Sequence, residues 1–153
     1  MAANRGGAGV RSLNIRLQAP LTPAGEKKLE RPGWTFASGD KVVQIENDDD
    51  KDVCNGDTGM IEDADLDEGE VVVDFDGRTV TFAFGELDAM VPAYAATIHK
   101  NQGSEHPAVV IPVVTQRRAM LQRNLIYTGV THGKKLVVLV GRNKAVAIAV
   151  NNV

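Results

Sequence analysis

The sequence predicts an α/β unit that carries an all-β insertion. Residues 70–84 hold two alternating apolar–polar runs joined at Asp76-Gly77. That is the pattern of a hairpin with one buried face. Residues 109–114 and 136–140 are continuous apolar runs, as expected of parallel strands covered on both sides. Segments of helical spacing lie between and after those runs.

Charge follows the same division. Residues 40–92 carry 17 acidic and 3 basic side chains, a net of −14, and the remainder carries 3 acidic and 14 basic, a net of +11. Asymmetry of this size suggests two modules with different partners. A basic module suits phosphates, whereas an acidic one repels them. The simplest account of any single charge is still a solvated surface.

Residues 1–12 are rich in Gly and Arg and show no periodicity. Leu13, Leu17 and Leu21 recur at helical spacing, predicting one or two turns before Pro20, Pro23 and Gly25 end the helix. Residues 22–39 read as a linker or irregular arm. From residue 40 the reading is of short strands. Lys41–Glu46 alternates, residues 55–59 are turn chemistry, and Val71, Val73, Phe75, Val80, Phe82 and Phe84 mark one apolar face. Asp74-Phe75-Asp76 belongs to the hairpin. Four or five strands in some fifty residues fit an SH3-like barrel. Its phenylalanines follow the apolar face, so they are core and not a base-stacking platform.

In residues 93–153 the pattern becomes strand, helix, strand, helix. Val109–Val114 is broken by Pro112. Met120–Thr131 is helical, with Leu121, Leu125 and Thr128 on one face. Leu136–Val140 ends at Gly141. Asn143–Asn151 is a last helix facing inward through Val146, Ala149 and Val150. Two strands are too few for a self-sufficient sheet.

Length and composition narrow the options. The 153 residues suffice for one ordinary domain, or for a small domain inserted into another. No apolar run approaches a membrane span, and the N-terminus lacks a signal-peptide pattern. The single Cys54 cannot form an internal disulfide, so a cytoplasmic setting is expected. Its simplest role is a small side chain in or near the barrel core. No Cys/His spacing suits zinc, and no metal site is expected.

Residues 97–105, Thr-Ile-His-Lys-Asn-Gln-Gly-Ser-Glu, place polar groups and a glycine between apolar segments. Residues 121–141 add Leu-Gln-Arg-Asn-Leu-Ile-Tyr-Thr-Gly-Val-Thr-His-Gly-Lys and an apolar strand. Together they resemble the last two motifs of superfamily 1 DNA helicases of the RecD/TraA type. Residues 4–18, 39–47 and 53–59 resemble further segments of that family, in the same order. Such collinearity is more specific than any single motif.

The resemblance implies the second, C-terminal motor domain, RecA-like and incomplete, in residues 1–39 and 93–153. It implies an SH3-like barrel inserted as residues 40–92. Members of the family move along single-stranded DNA using ATP and magnesium. No Gly-x-x-x-x-Gly-Lys-Ser/Thr loop is present to cradle phosphates. In the family that loop belongs to a first motor domain, expected upstream as a partner in cis. This chain is therefore expected to be an excised segment or truncated relative, binding nucleotide weakly alone.

By the same resemblance, Thr97, His99, Lys100 and Arg123 contact single-stranded DNA, and Gln102, Gly103, Ser104 and Glu105 border the nucleotide. Hydroxyl, imidazole and ammonium groups can all donate to phosphate oxygens, and Gly103 permits close backbone approach. A lone His99 is more often an ordinary surface histidine. For Glu105, the roles of sugar ligand and solvated carboxylate stand level. Arg117 and Arg118 add positive charge. Tyr94 fits packing beside a strand better than stacking on a base.

The second motif departs from the family. Thr131-His132-Gly133-Lys134 stands where Thr-Arg-Ala-Lys is usual. The family arginine stabilises charge in phosphoryl transfer, a role worth ~10³–10⁵ in rate. Histidine is shorter, lacks the bidentate fork and is only partly charged near neutral pH. A poor or inactive ATPase is expected, and Gly133 is expected to loosen a helix end. A second reading is a non-enzymatic DNA- or protein-binding module, its barrel having a protein partner. The third, an unrelated small enzyme using His99, Glu105 and His132, is weakest, since no nucleophile sits beside a base.

Overall fold

The computed structural model describes residues 9–22, 28–100, 105–115 and 121–152. The chain divides into two compact units, one spanning Arg11–Ala95 and the other built from Ala96 onward.

The first unit begins with helix α1 (Val10–Leu21) and the hairpin β1 (Lys28–Arg31) and β2 (Trp34–Ala37). This hairpin replaces the irregular arm expected for residues 22–39. Pro32-Gly33 makes the reversal, with Gly33 at φ 93°. Five further strands follow: β3 (Lys41–Gln44), β4 (Thr58–Asp65), β5 (Glu70–Phe75), β6 (Arg78–Ala83) and β7 (Met90–Pro92). They form one antiparallel sheet in the order β6-β5-β4-β3-β7.

The β5–β6 hairpin has the expected register. Phe75 pairs with Arg78 across Asp76-Gly77, whose φ angles are 56° and 92°. Two consecutive positive φ values define the turn whose twist matches the flanking strands. Asp74 Oδ1 accepts a 2.7 Å bond from Gly77 N, so this acidic triplet is turn chemistry. Alternation buries Val71, Val73 and Phe75 along β5, with Phe82 opposite. They join Leu29, Phe36, Val42, Ile61, Leu87 and Met90 in one core. Leu29 and Phe36, from the β1–β2 hairpin, therefore share the core of the five-stranded sheet. Cys54 is exposed, correcting its expected place near that core. Acidic side chains coat the exterior, among them Asp49, Asp50, Glu62, Asp63, Asp67 and Glu68.

α1 also departs from expectation. It runs three turns, with Pro20 in the last. The leucine ladder is not its buried face. Leu21 is 63% exposed and Ile15 53%, whereas Asn14 is 1% exposed.

The second unit is a strand–helix–strand–helix arrangement: β8 (His106–Val113), α2 (Arg123–Thr131), β9 (Gly133–Gly141) and α3 (Asn143–Asn151). β8 and β9 pair in parallel, Val109 to Val137 and Ile111 to Leu139. Pro112 lies within β8, opposite Val140. Ile111 and Val113 pack with Leu121, Ala145 and Ala149, joined by Val109, Ile126 and Val137. Strand alternation sends the even-numbered residues to the other side. There Val110, Leu136, Val138 and Val140 are exposed.

Two helical faces differ in part from expectation. α2 turns inward through Ile126 and Gly129, not Leu125 and Thr128. α3 packs through Val146 and Ala149 as expected, joined by Ala145, while Val150 stays exposed. Gly133 opens β9 instead of loosening a helix end. A β-carbon there would collide with Val137 Cγ2, so the glycine serves a close approach.

Candidate nucleic-acid and nucleotide interface

The first motif residues form a turn. Lys100 N donates to Thr97 O at 3.1 Å and to Thr97 Oγ1 at 3.2 Å. Thr97 thus stabilises the turn that presents His99 and Lys100, both exposed. Ile98, between Thr97 and His99, points to α2, where a β-carbon on Gly129 would lie 3.3 Å from Ile98 Cδ1 and 2.9 Å from Ile111 Cδ1. A residue larger than glycine would require the ends of both isoleucine side chains to shift. The two motifs therefore meet in space, although sequence reasoning placed only their polar residues. The Tyr-Thr-Gly-Val string carried the missed signal, a small residue on the buried side of a helix.

Gln102, Gly103 and Ser104 lie outside the described residues, as do Arg117 and Arg118. Glu105 is described and exposed, and its carboxylate meets Lys134 Nζ at 2.8 Å. The Lys134 ammonium donates to it and attracts it, holding Glu105 below the usual carboxylate range. The pair is open to water, where such contacts contribute little to stability.

His132 caps the C-terminus of α2, its N–H reaching Gly129 O and Val130 O. Its own carbonyl accepts a 2.8 Å bond from His106 N at the start of β8. The side chain is only 8% exposed. The backbone thus brings His132 beside the residue that follows Glu105. Arg123 stands apart at the other end of α2. Its side chain is exposed, and its N–H donates to Asn152 O at 3.0 Å. Asn152 Nδ2 in turn reaches Leu121 O at 2.9 Å, tying the start of α2 to the end of α3.

In the first unit, Tyr94 packs as expected and also forms hydrogen bonds. Its hydroxyl donates to Asp40 Oδ1 at 2.6 Å and lies 2.5 Å from Thr22 Oγ1. Burial and the adjacent Asp40 carboxylate push its pKa up.

Comparison with known proteins places this geometry. Residues 13–75 match the model of the ATP-dependent RecD-like DNA helicase SH3 domain, and residues 92–140 match the UvrD-like helicase C-terminal domain. The chain is 35% identical over 145 residues to the ATP-dependent RecD2 DNA helicase of Deinococcus radiodurans. The chain belongs to the RecD-type helicase family. The match covers 95% of this RecD-type chain and 20% of the Deinococcus protein. The RecBCD enzyme subunit RecD of Mycolicibacterium smegmatis is 34% identical over 149 residues, which is 97% of this chain and 26% of that protein. The RecD-type chain thus spans a fifth to a quarter of the length of these curated relatives, and is homologous to their C-terminal region.

The fold is shared with Pif1 helicase from Bacteroides, solved in complex with ADP-AlF3 and single-stranded DNA. That likeness has a TM-score of 0.60 at 18% identity and covers 82% of this chain and 37% of that one. Among the described residues, no helix is long and apolar enough to cross a membrane.

Proposed function

We propose that this chain is a motor segment of an ATP-dependent RecD-type DNA helicase. Thr97, His99, Lys100 and Arg123 contact the single strand, and Gln102, Gly103, Ser104 and Glu105 border the nucleotide. The motor portion is assigned to the unit from Ala96 onward and the barrel to the unit Arg11–Ala95, which takes in the β1–β2 hairpin as well as residues 40–92. The observation that best supports this reading is the turn at Thr97–Lys100. It exposes an imidazole and an ammonium side by side, on a backbone fixed by Thr97 and backed by Gly129. Both groups suit phosphate oxygens.

The described donor set does not fit a complete ATP–magnesium site. It offers one carboxylate, Glu105, already paired with Lys134, and the sequence has no phosphate-cradling loop. Hydrolysis is therefore assigned to a partnership with a first motor domain in cis. His132, in the position of the family arginine, supplies at most a weak contact to developing charge. A second reading, a binding module without enzymatic activity, draws support from the burial of His132.

Fluorescence anisotropy of labelled single-stranded DNA, across a salt series and with or without ATP and magnesium, tests both. Binding that weakens with salt and ignores ATP is expected of this chain alone. Absence of binding even at low salt would remove the DNA role and leave a protein partner for the barrel.

A further inference from the structure

Asn14, Gln18 and Thr22 recur at four-residue spacing and therefore share one face of α1 and its C-terminal extension. That face, not an apolar stripe, is the docked one, and Asn14 is the one residue of α1 that is buried. Asn14 Nδ2 donates to Ala95 O at 2.9 Å, and Ala95 N donates to Asn14 Oδ1 at 2.7 Å. Gln18 Nε2 donates to Thr35 O and to Asp40 Oδ2, each at 2.6 Å. Asp40, fully buried, also accepts Ala37 N at 2.7 Å and the Tyr94 hydroxyl at 2.6 Å. Thr22 completes the network at that hydroxyl. Near the other end of the helix, the Arg11 guanidinium lies over the Trp34 ring, 5.4 Å from its centre. All these groups belong to the unit Arg11–Ala95.

The apolar core of this unit takes no described side chain from α1. A hydrogen bond or an exposed cation–π contact exchanges protein for water at a small net gain. Buried apolar area is what makes an element costly to detach, and α1 contributes little of it. A helix of 12 residues is also marginal on its own in water, so undocking and unwinding go together. We propose that α1 is a latched strap. It opens as one unit, by release of this polar clasp, while the strands keep their core. Opening uncovers the Trp34 ring face that Arg11 covers, the Asp40 carboxylate and the Tyr94 hydroxyl.

Amide hydrogen exchange on the 153-residue chain, followed by NMR, tests this. Protection at Gln18 and Ala19 should be lower than at Val71, Val72 and Val73 by roughly 100-fold or more, as expected of a local opening. Those valines lie in β5, which is paired on both sides. Asn14→Ala and Gln18→Leu should each lower α1 protection by a further factor of about 10 and leave β5 unaltered. Alanine and leucine favour a helix at least as well as the residues they replace, so lost protection reports lost docking. Arg16→Ala, on the exposed side of the helix, should change neither element. Equal protection in α1 and β5 would overturn the proposal, because helix and strands would then open only together. Unaltered α1 protection in both clasp variants, or a matching loss in β5, would overturn it as well. Should a variant fail to fold, the comparison of α1 with β5 in the unmodified chain decides.

Discussion

His132, proposed above to stand where the family arginine does, has its ring buried at the end of α2. An arginine there would need to carry a desolvated guanidinium outward, since a buried charge without partners is costly. In a full-length RecD-type enzyme carrying this segment, His132→Arg should raise ATP turnover by ~10³ or more. Steady-state turnover unchanged by the substitution would sink the idea that this histidine limits phosphoryl transfer. At this scale contiguous residues are the easiest to group from sequence: Thr97, His99 and Lys100 are near neighbours and share one turn. The network of Asn14, Asp40 and Tyr94 was not legible, because its partners are up to 81 residues apart. The spacing of Asn14, Gln18 and Thr22 was available, but the leucines on the same helix masked it.

Among the elements, the β5–β6 hairpin was the most legible, because both its alternation and its Asp-Gly turn are local. Its dependence on Gly77 follows from the φ of 92°. Gly77→Ala should cost ~1–3 kcal/mol, the usual cost of a side chain in that backbone region. Urea unfolding should show a lower midpoint with an unchanged slope. A midpoint equal to the parent would mean that the turn relaxes to another type. The β1–β2 hairpin escaped detection although Pro32-Gly33 marks its turn. Only Leu29, Phe36 and Ala37 are buried there, too few to establish a period in two four-residue strands. For α2 and α3 the helical spacing was readable, but the inward direction was set by glycine and alanine. Close approach of α2 to β8 favours glycine at 129, so apolar size misidentified that face, whereas Val146 and Ala149 of α3 were read correctly.

For the whole molecule, the described residues leave Val110, Leu136, Val138 and Val140 exposed on one side of the parallel pair β8–β9, although continuous apolar strands are the mark of a sheet covered on both faces. The segregation of charge has a different consequence, for chromatography. The residues from Arg11 to Ala95 contain 19 acidic and 8 basic side chains, and the remainder contains 1 acidic and 9 basic. The net charge of −3 is therefore a poor guide to how the protein meets a charged surface. At neutral pH and low salt it should adsorb to an anion exchanger through the barrel exterior and to a cation exchanger through the remainder. Flow-through on the cation resin would show that the two fields cancel at close range. Retention on both would make resin choice a means of selecting which unit stays free, with the barrel immobilised on one matrix and exposed to partners on the other.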